Sequence, residues 1–184
     1  MNANEIVNSK LLEYNFNNYP KEYKKELVKV LNVATNVFGN NLLSITIGGS
    51  GGKDNIIDGW SDLDIYFILK DYIVFQVTSF EKQFVDDSIH VGTTYYTLDE
   101  VETNNIDNKT KVMIYEKNNY YVNPTLYGDD YYNDVSYEEI LCNDKNAFPV
   151  VLQALRRMYI EVLNGSRKID KTYMNPFDNL CGMD

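Results

Sequence analysis

The stretch Ile45 to Leu69, ITIGGSGGKDNIIDGWSDLDIYFIL, decides how the chain is read. Leu42 to Ile47 (LLSITI) is short, rich in β-branched residues and stops at a glycine cluster, which predicts a buried strand. A loop follows from Gly48 to Ser61, with room for one helical turn after Ser50. Asp62 to Leu69 (DLDIYFIL) is apolar on both faces after its first residues, the pattern of a strand in the middle of a covered sheet. In Gly48-Gly49-Ser50-Gly51-Gly52-Lys53 the glycines let backbone N–H groups approach a ligand where a side chain would block them. Ser50 adds a hydroxyl and Lys53 a positive charge, so the segment suits a phosphate. It is not a Walker A loop, because Ile47 stands where that motif needs glycine and Asp54 where it needs Ser or Thr. The dinucleotide-binding glycine fingerprint is also out of register.

Asp62 and Asp64 are two apart on a strand, so both carboxylates leave the same face while Leu63 and Ile65 enter the core. Paired carboxylates at a strand start repel unless hydrated or neutralised by a cation. Magnesium suits them, since it takes oxygen ligands and is commonly held by one or two carboxylates together with substrate phosphates. Taken singly, the glycines could be a tight turn and the aspartates a solvated strand end. Together they favour a phosphoryl-transfer site.

The stretch resembles the polymerase-β-type nucleotidyltransferase superfamily. The likeness rests on Ile47-Gly48-Gly49-Ser50, then Asp62-Leu63-Asp64 in a strand, preceded by Trp60-Ser61. It is close over these 25 residues, and the order of flanking elements agrees loosely over 20–125. The resemblance implies transfer of a nucleoside monophosphate from an NTP to an acceptor, with release of pyrophosphate. It further implies that Gly49 and Ser50 contact the triphosphate, and that Asp62 and Asp64 hold the divalent metals, Mg²⁺ or Mn²⁺. Lys53 stands where many small members carry an arginine for the phosphates. Asp54 departs from the glycine usual at the next position. The superfamily's third carboxylate belongs between apolar residues on a later strand, and the best-patterned slot here, Ile89-His90-Val91, holds the chain's one histidine. His90 could act as a general base, its ordinary pKa lying near 6.5. Asp87 and Glu116 are the other candidates for the third position.

Outward from this stretch, Pro20 opens a helix whose apolar residues Tyr23, Leu27, Val30, Leu31, Ala34, Val37 and Phe38 share one face, with Gly39 as its stop. A short helix is expected within 1–19 and another within 71–85. Ser88 to Thr97 reads as a third strand and 98–103 as a short helix. Val112–Tyr115 and Tyr120–Val122 read as a hairpin around Glu116 to Asn119. Val135–Leu141 and Ala147–Leu163 are helical, with Arg156 and Arg157 expected to face solvent. Tyr95, Tyr96, Tyr120, Tyr121, Tyr131 and Tyr132 are expected to pack mostly at sheet edges. The expected fold is therefore α/β (α+β): a nucleotidyltransferase-like mixed sheet flanked by helices over 1–130, then a helical C-terminal segment over 131–184. That segment resembles the beginning of a longer helical domain.

Composition bounds the partners. The 184 residues include 17 Lys and Arg against 27 Asp and Glu, a net charge of −10, which disfavours nucleic acid and anionic lipid. Cys142 and Cys181 are too few for a disulfide framework, and with one histidine a zinc site is excluded in practice. Neither a signal pattern nor an apolar run of spanning length is present, so a cytoplasmic protein is expected, away from membranes. The acceptor would be a small molecule, aminoglycoside-like because a polycation suits an acidic cleft, or a protein. The alternatives are a nucleotidyltransferase-like antitoxin or partner-binding module, and a degenerate domain that binds nucleotide without turnover.

Overall fold

A computed structural model describes residues 2–141 and 148–165. Cys142, Cys181 and the helical segment expected beyond 165 lie outside the described residues. The elements are α1 (Ala3–Glu13), α2 (Lys21–Phe38), β1 (Leu42–Ile47), β2 (Leu63–Leu69), α3 (Val74–Glu81), β3 (Val91–Thr97), α4 (Leu98–Glu102), α5 (Asn108–Tyr120), β4 (Thr125–Gly128), α6 (Tyr137–Leu141) and α7 (Phe148–Leu163). The four strands form one mixed sheet in the order β3-β2-β1-β4. β2 runs antiparallel to β1 and parallel to β3, and β4 is antiparallel to β1. The fold is thus α+β.

Period-two alternation gives β2 two buried faces. Leu63, Ile65, Phe67 and Leu69 join a core built with α1, α2 and α3, and Ile160 of α7 also enters it. There Phe67 stacks on Tyr95 and meets Phe80 edge-on, each pair with ring centroids 5.0 Å apart. These contacts tie the central strand to β3 and α3, in geometries that add about 0.5–1.5 kcal/mol per pair beyond burial. On the opposite face Tyr66 and Ile68 pack with Tyr96, Ile106, Met113 and Ile114. α2 forms as its spacing predicts: Tyr23, Leu27, Val30, Leu31, Ala34 and Phe38 are buried, and Gly39 ends it at φ +51°.

Three sequence readings need correction. The hairpin around Glu116 is instead the single helix α5. Thr110, Lys111, Met113 and Ile114 are buried at helical spacing, and Asp107 caps the first turn by accepting from the Thr110 amide at 2.8 Å. A short apolar run such as VMIY fits either element, and here the second face of the sheet requires a helix to cover it. The third strand begins at Val91 rather than Ser88. Arg156 does not face solvent. Its side chain is 12% exposed, it pairs with Glu100 at 3.1 Å, it donates to the Tyr95 carbonyl at 3.0 Å, and it lies over the Tyr72 ring. Arg157 is exposed as expected. Tyr95 and Tyr96 lie on β3, an edge strand of the sheet, and both are buried there. Among the described residues no helix is long and apolar enough to cross a membrane.

Candidate functional site

Antiparallel pairing of β1 and β2 brings the end of one strand to the beginning of the other, with Ile47 opposite Ile65. This sets the glycine turn directly over the Asp-x-Asp segment. The Gly48 amide donates to the Asp64 carbonyl at 2.9 Å. Gly49 takes φ +57°, and a methyl group on it would stand 2.1 Å from Asp64 Oδ2. Only glycine meets both demands, the left-handed backbone and the missing Cβ. Ser50 begins a 3₁₀ turn over Gly51–Lys53, the single helical turn the sequence allows. Among the described residues, the Gly49 and Ser50 amides donate to no carbonyl or side chain. Two consecutive unengaged N–H groups beside a glycine turn are suited to an anion.

Asn123 anchors this turn, and sequence reading missed it. It is fully buried at φ +54°; its backbone amide donates to Gly52 O at 2.6 Å and its side-chain amide to Met113 O at 3.0 Å. A Cβ on Gly52 would fall 2.7 Å from Ile47 O. The Asn-Pro pair at 123–124 was the available signal, since it marks a turn.

Asp64 is the better placed of the two aspartates. It lies inside β2, its side chain is 20% exposed, and its Oδ1 receives Lys109 Nζ at 3.0 Å. Asp62 precedes the strand and is exposed. The Tyr23 hydroxyl fixes the chain before it by donating to Ser61 O at 2.6 Å. Parallel pairing sets Gly92 abreast of Asp64. The ladder begins at the Leu63–Val91 pair, so His90 and Asp62 immediately precede the two paired strands. His90 is exposed, and its carbonyl accepts from the Leu63 amide at 2.9 Å.

The other candidates separate. Glu116, on α5, pairs with Lys53 at 2.7 Å, so both flank the glycine turn. Asp87 pairs with Lys29 of α2, which also lies over the Phe84 ring. It therefore belongs to a structural cluster with Glu26. Burial and the Asp87 charge push the Glu26 carboxyl up to about 7.

Lys109 had no motif to reveal it, because its partner is 45 residues away in sequence. It sits at the second position of α5, and Lys109, Met113 and Glu116 share one helical face. Lys109, His90 and Gly92 also line a cleft of about 470 Å³ between β3, the end of α3 and α7. Within the cleft Glu81 accepts from the Thr93 and Tyr95 hydroxyls, and burial raises its pKa against those bonds. Trp60, two residues before Asp62, is 85% exposed.

The donor set suits a single magnesium ion: two carboxylates at an open strand end, beside amides able to hold the phosphates that complete its shell. Among the described residues no group of three His, Cys, Asp or Glu side chains is placed to hold a metal. Comparisons with protein-family models, with curated proteins and with solved structures found no match to this chain.

Proposed function

We propose that this protein is a magnesium-dependent nucleotidyltransferase, acting on a hydroxyl of a small molecule or of a protein. One observation carries the reading: the Asp64 carboxylate lies against Gly49, in space that any other residue's Cβ would fill. An anion-binding turn and a cation-binding carboxylate thereby form one site.

The chain's residues divide the work as follows. The Gly49 and Ser50 amides hold phosphate oxygens, and Lys53 and Lys109 add positive charge on either side. Asp62 and Asp64 would hold magnesium, which when bound neutralises charge on the triphosphate. The acceptor hydroxyl oxygen bonds to the α-phosphorus as the bond from that phosphorus to the pyrophosphate oxygen breaks. His90, whose carbonyl is bonded to the Leu63 amide next to Asp62, takes the hydroxyl proton as general base. The cleft beside Lys109 and His90 gives the acceptor a place next to the reacting phosphate.

A specific feature favours a second reading, nucleotide binding without turnover. Glycine, not a carboxylate, stands abreast of Asp64 on β3. One experiment tests both readings. The protein is incubated with labelled NTPs, Mg²⁺ or Mn²⁺, and either hydroxyl-bearing amine compounds or a cell extract. Labelled product that disappears in Asp62→Ala and Asp64→Ala is the expected result. Metal-dependent NTP binding with no product supports the second reading. Absence of both signals rules out the enzyme and the nucleotide-binding domain alike, and leaves a partner-binding module.

A further inference from the structure

Asp64 offers two oxygens, and the structure uses them differently. Oδ2 lies against the Gly49 turn, on the phosphate side. Oδ1 receives the Lys109 ammonium. The base of Lys109 is held firmly, because the preceding Asp107 caps α5 and itself accepts from the Tyr96 hydroxyl at 2.6 Å. The rest of the Lys109 side chain is loosely held: it is 68% exposed, and it borders the cleft as well as Asp64. Gly92 leaves its side of Oδ1 clear, where a Cβ would stand in contact with that oxygen at 3.4 Å.

An ammonium and a divalent cation cannot both sit on one carboxylate oxygen, because like charges at that separation repel strongly. We propose that Lys109 is a displaceable counterion at the metal position of Asp64, so that the divalent cation binds together with nucleotide rather than before it. Nucleotide phosphates bring enough negative charge to draw Lys109 off Oδ1 and to retain it beside the triphosphate. Asp64 Oδ1, once Lys109 has left it, would be available to hold the divalent cation. Lys109 is thus a positioning residue that acts through Asp64. This inference rests on the nucleotidyltransferase reading and adds an order of binding to it.

The test is direct titration with Mn²⁺, following the free ion by electron paramagnetic resonance. The wild type, Lys109→Met, Lys109→Arg and Asp64→Asn are compared with and without a non-hydrolysable ATP analogue, and circular dichroism checks that each is folded. Without nucleotide, Lys109→Met should bind Mn²⁺ roughly three- to ten-fold more tightly than wild type, from loss of a partly exposed ion pair and of cation–cation repulsion. Lys109→Arg, which keeps the charge, should resemble wild type, and Asp64→Asn should bind least. With the analogue present, the advantage of Lys109→Met should vanish or reverse. Equal Mn²⁺ affinity of wild type and Lys109→Met without nucleotide overturns the proposal while leaving the metal site standing. Lys109→Arg behaving like Lys109→Met also overturns it, because the effect would not then be one of charge. Failure of every form to bind Mn²⁺, even with the analogue, overturns this proposal and the nucleotidyltransferase reading together.

Discussion

At the scale of single residues, Gly49 and Asp64 define the site. Gly49→Ala forces a left-handed Cβ onto Asp64 Oδ2. It should cost about 1–3 kcal/mol of stability, the usual cost of a strained backbone position, and displace the carboxylate. Thermal melts and NTP titrations of that variant read the two effects separately. Asp64→Asn removes charge without changing shape, so it should melt close to wild type yet lose metal-dependent NTP binding. Both residues were legible in the sequence, because the glycine turn and the period-two aspartates are local patterns. Lys109 and Asn123 were not. Lys109 reaches Asp64 and Asn123 reaches Gly52, each far along the chain, and the Lys109–Asp64 pair in particular joins two elements that no spacing rule connects.

At the scale of elements, α5 brings most of the site's unforeseen chemistry. It carries Lys109 to Asp64 and Glu116 to Lys53, and its Met113 carbonyl receives the amide of Asn123. Reading Val112–Tyr115 as a strand hid all three contacts, because a strand would have separated Lys109 from Glu116 instead of aligning them. β4 went unforeseen for a related reason: four residues after an Asn-Pro turn are too few to show alternation. The Lys53–Glu116 pair is partly exposed on both sides, so Glu116→Gln should change stability by less than about 1 kcal/mol. It should instead free Lys53 and alter NTP affinity, whereas Lys53→Ala should weaken that affinity several-fold. Removing the buried Asn123 side chain loses its bond to the Met113 carbonyl and leaves alanine in a left-handed backbone, so Asn123→Ala should cost about 1–3 kcal/mol in chemical denaturation. The loop carrying Trp60 offers an optical reporter. Trp60 is the chain's single tryptophan, so NTP binding at Asp62 and Asp64 should change its emission, and Asp64→Asn should abolish that change.

At the scale of the whole molecule, hydrophobic periodicity predicted α2, β1 and β2 and the covered central sheet. It could not predict that α7 would lie along β3, because that contact depends on Arg156 finding Glu100, Tyr72 and the Tyr95 carbonyl. The acidic balance has a consequence for pH. The carboxyl of Glu26 in the folded protein titrates near 7, above the ordinary range, so the fold binds a proton there that the unfolded chain has already released. Stability should therefore fall as pH rises from about 4.5 towards 7, the interval over which the native state must give up that proton. Glu81, also raised by burial, acts in the same direction. In Glu26→Gln the loss due to Glu26 disappears. The melting temperature of that variant relative to wild type should consequently be higher at pH 7.5 than at pH 5, and a difference that stays constant with pH would refute the assignment.

The central claim is that the Gly49 turn and Asp64 make one nucleotide–metal site. Calorimetric titration of each NTP into the protein, with Mg²⁺ and with EDTA, tests it most directly. Saturable binding that requires Mg²⁺ and is lost in both Asp64→Asn and Gly49→Ala is the expected result. It is contradicted if no NTP binds the folded protein, or if binding persists unchanged in Asp64→Asn.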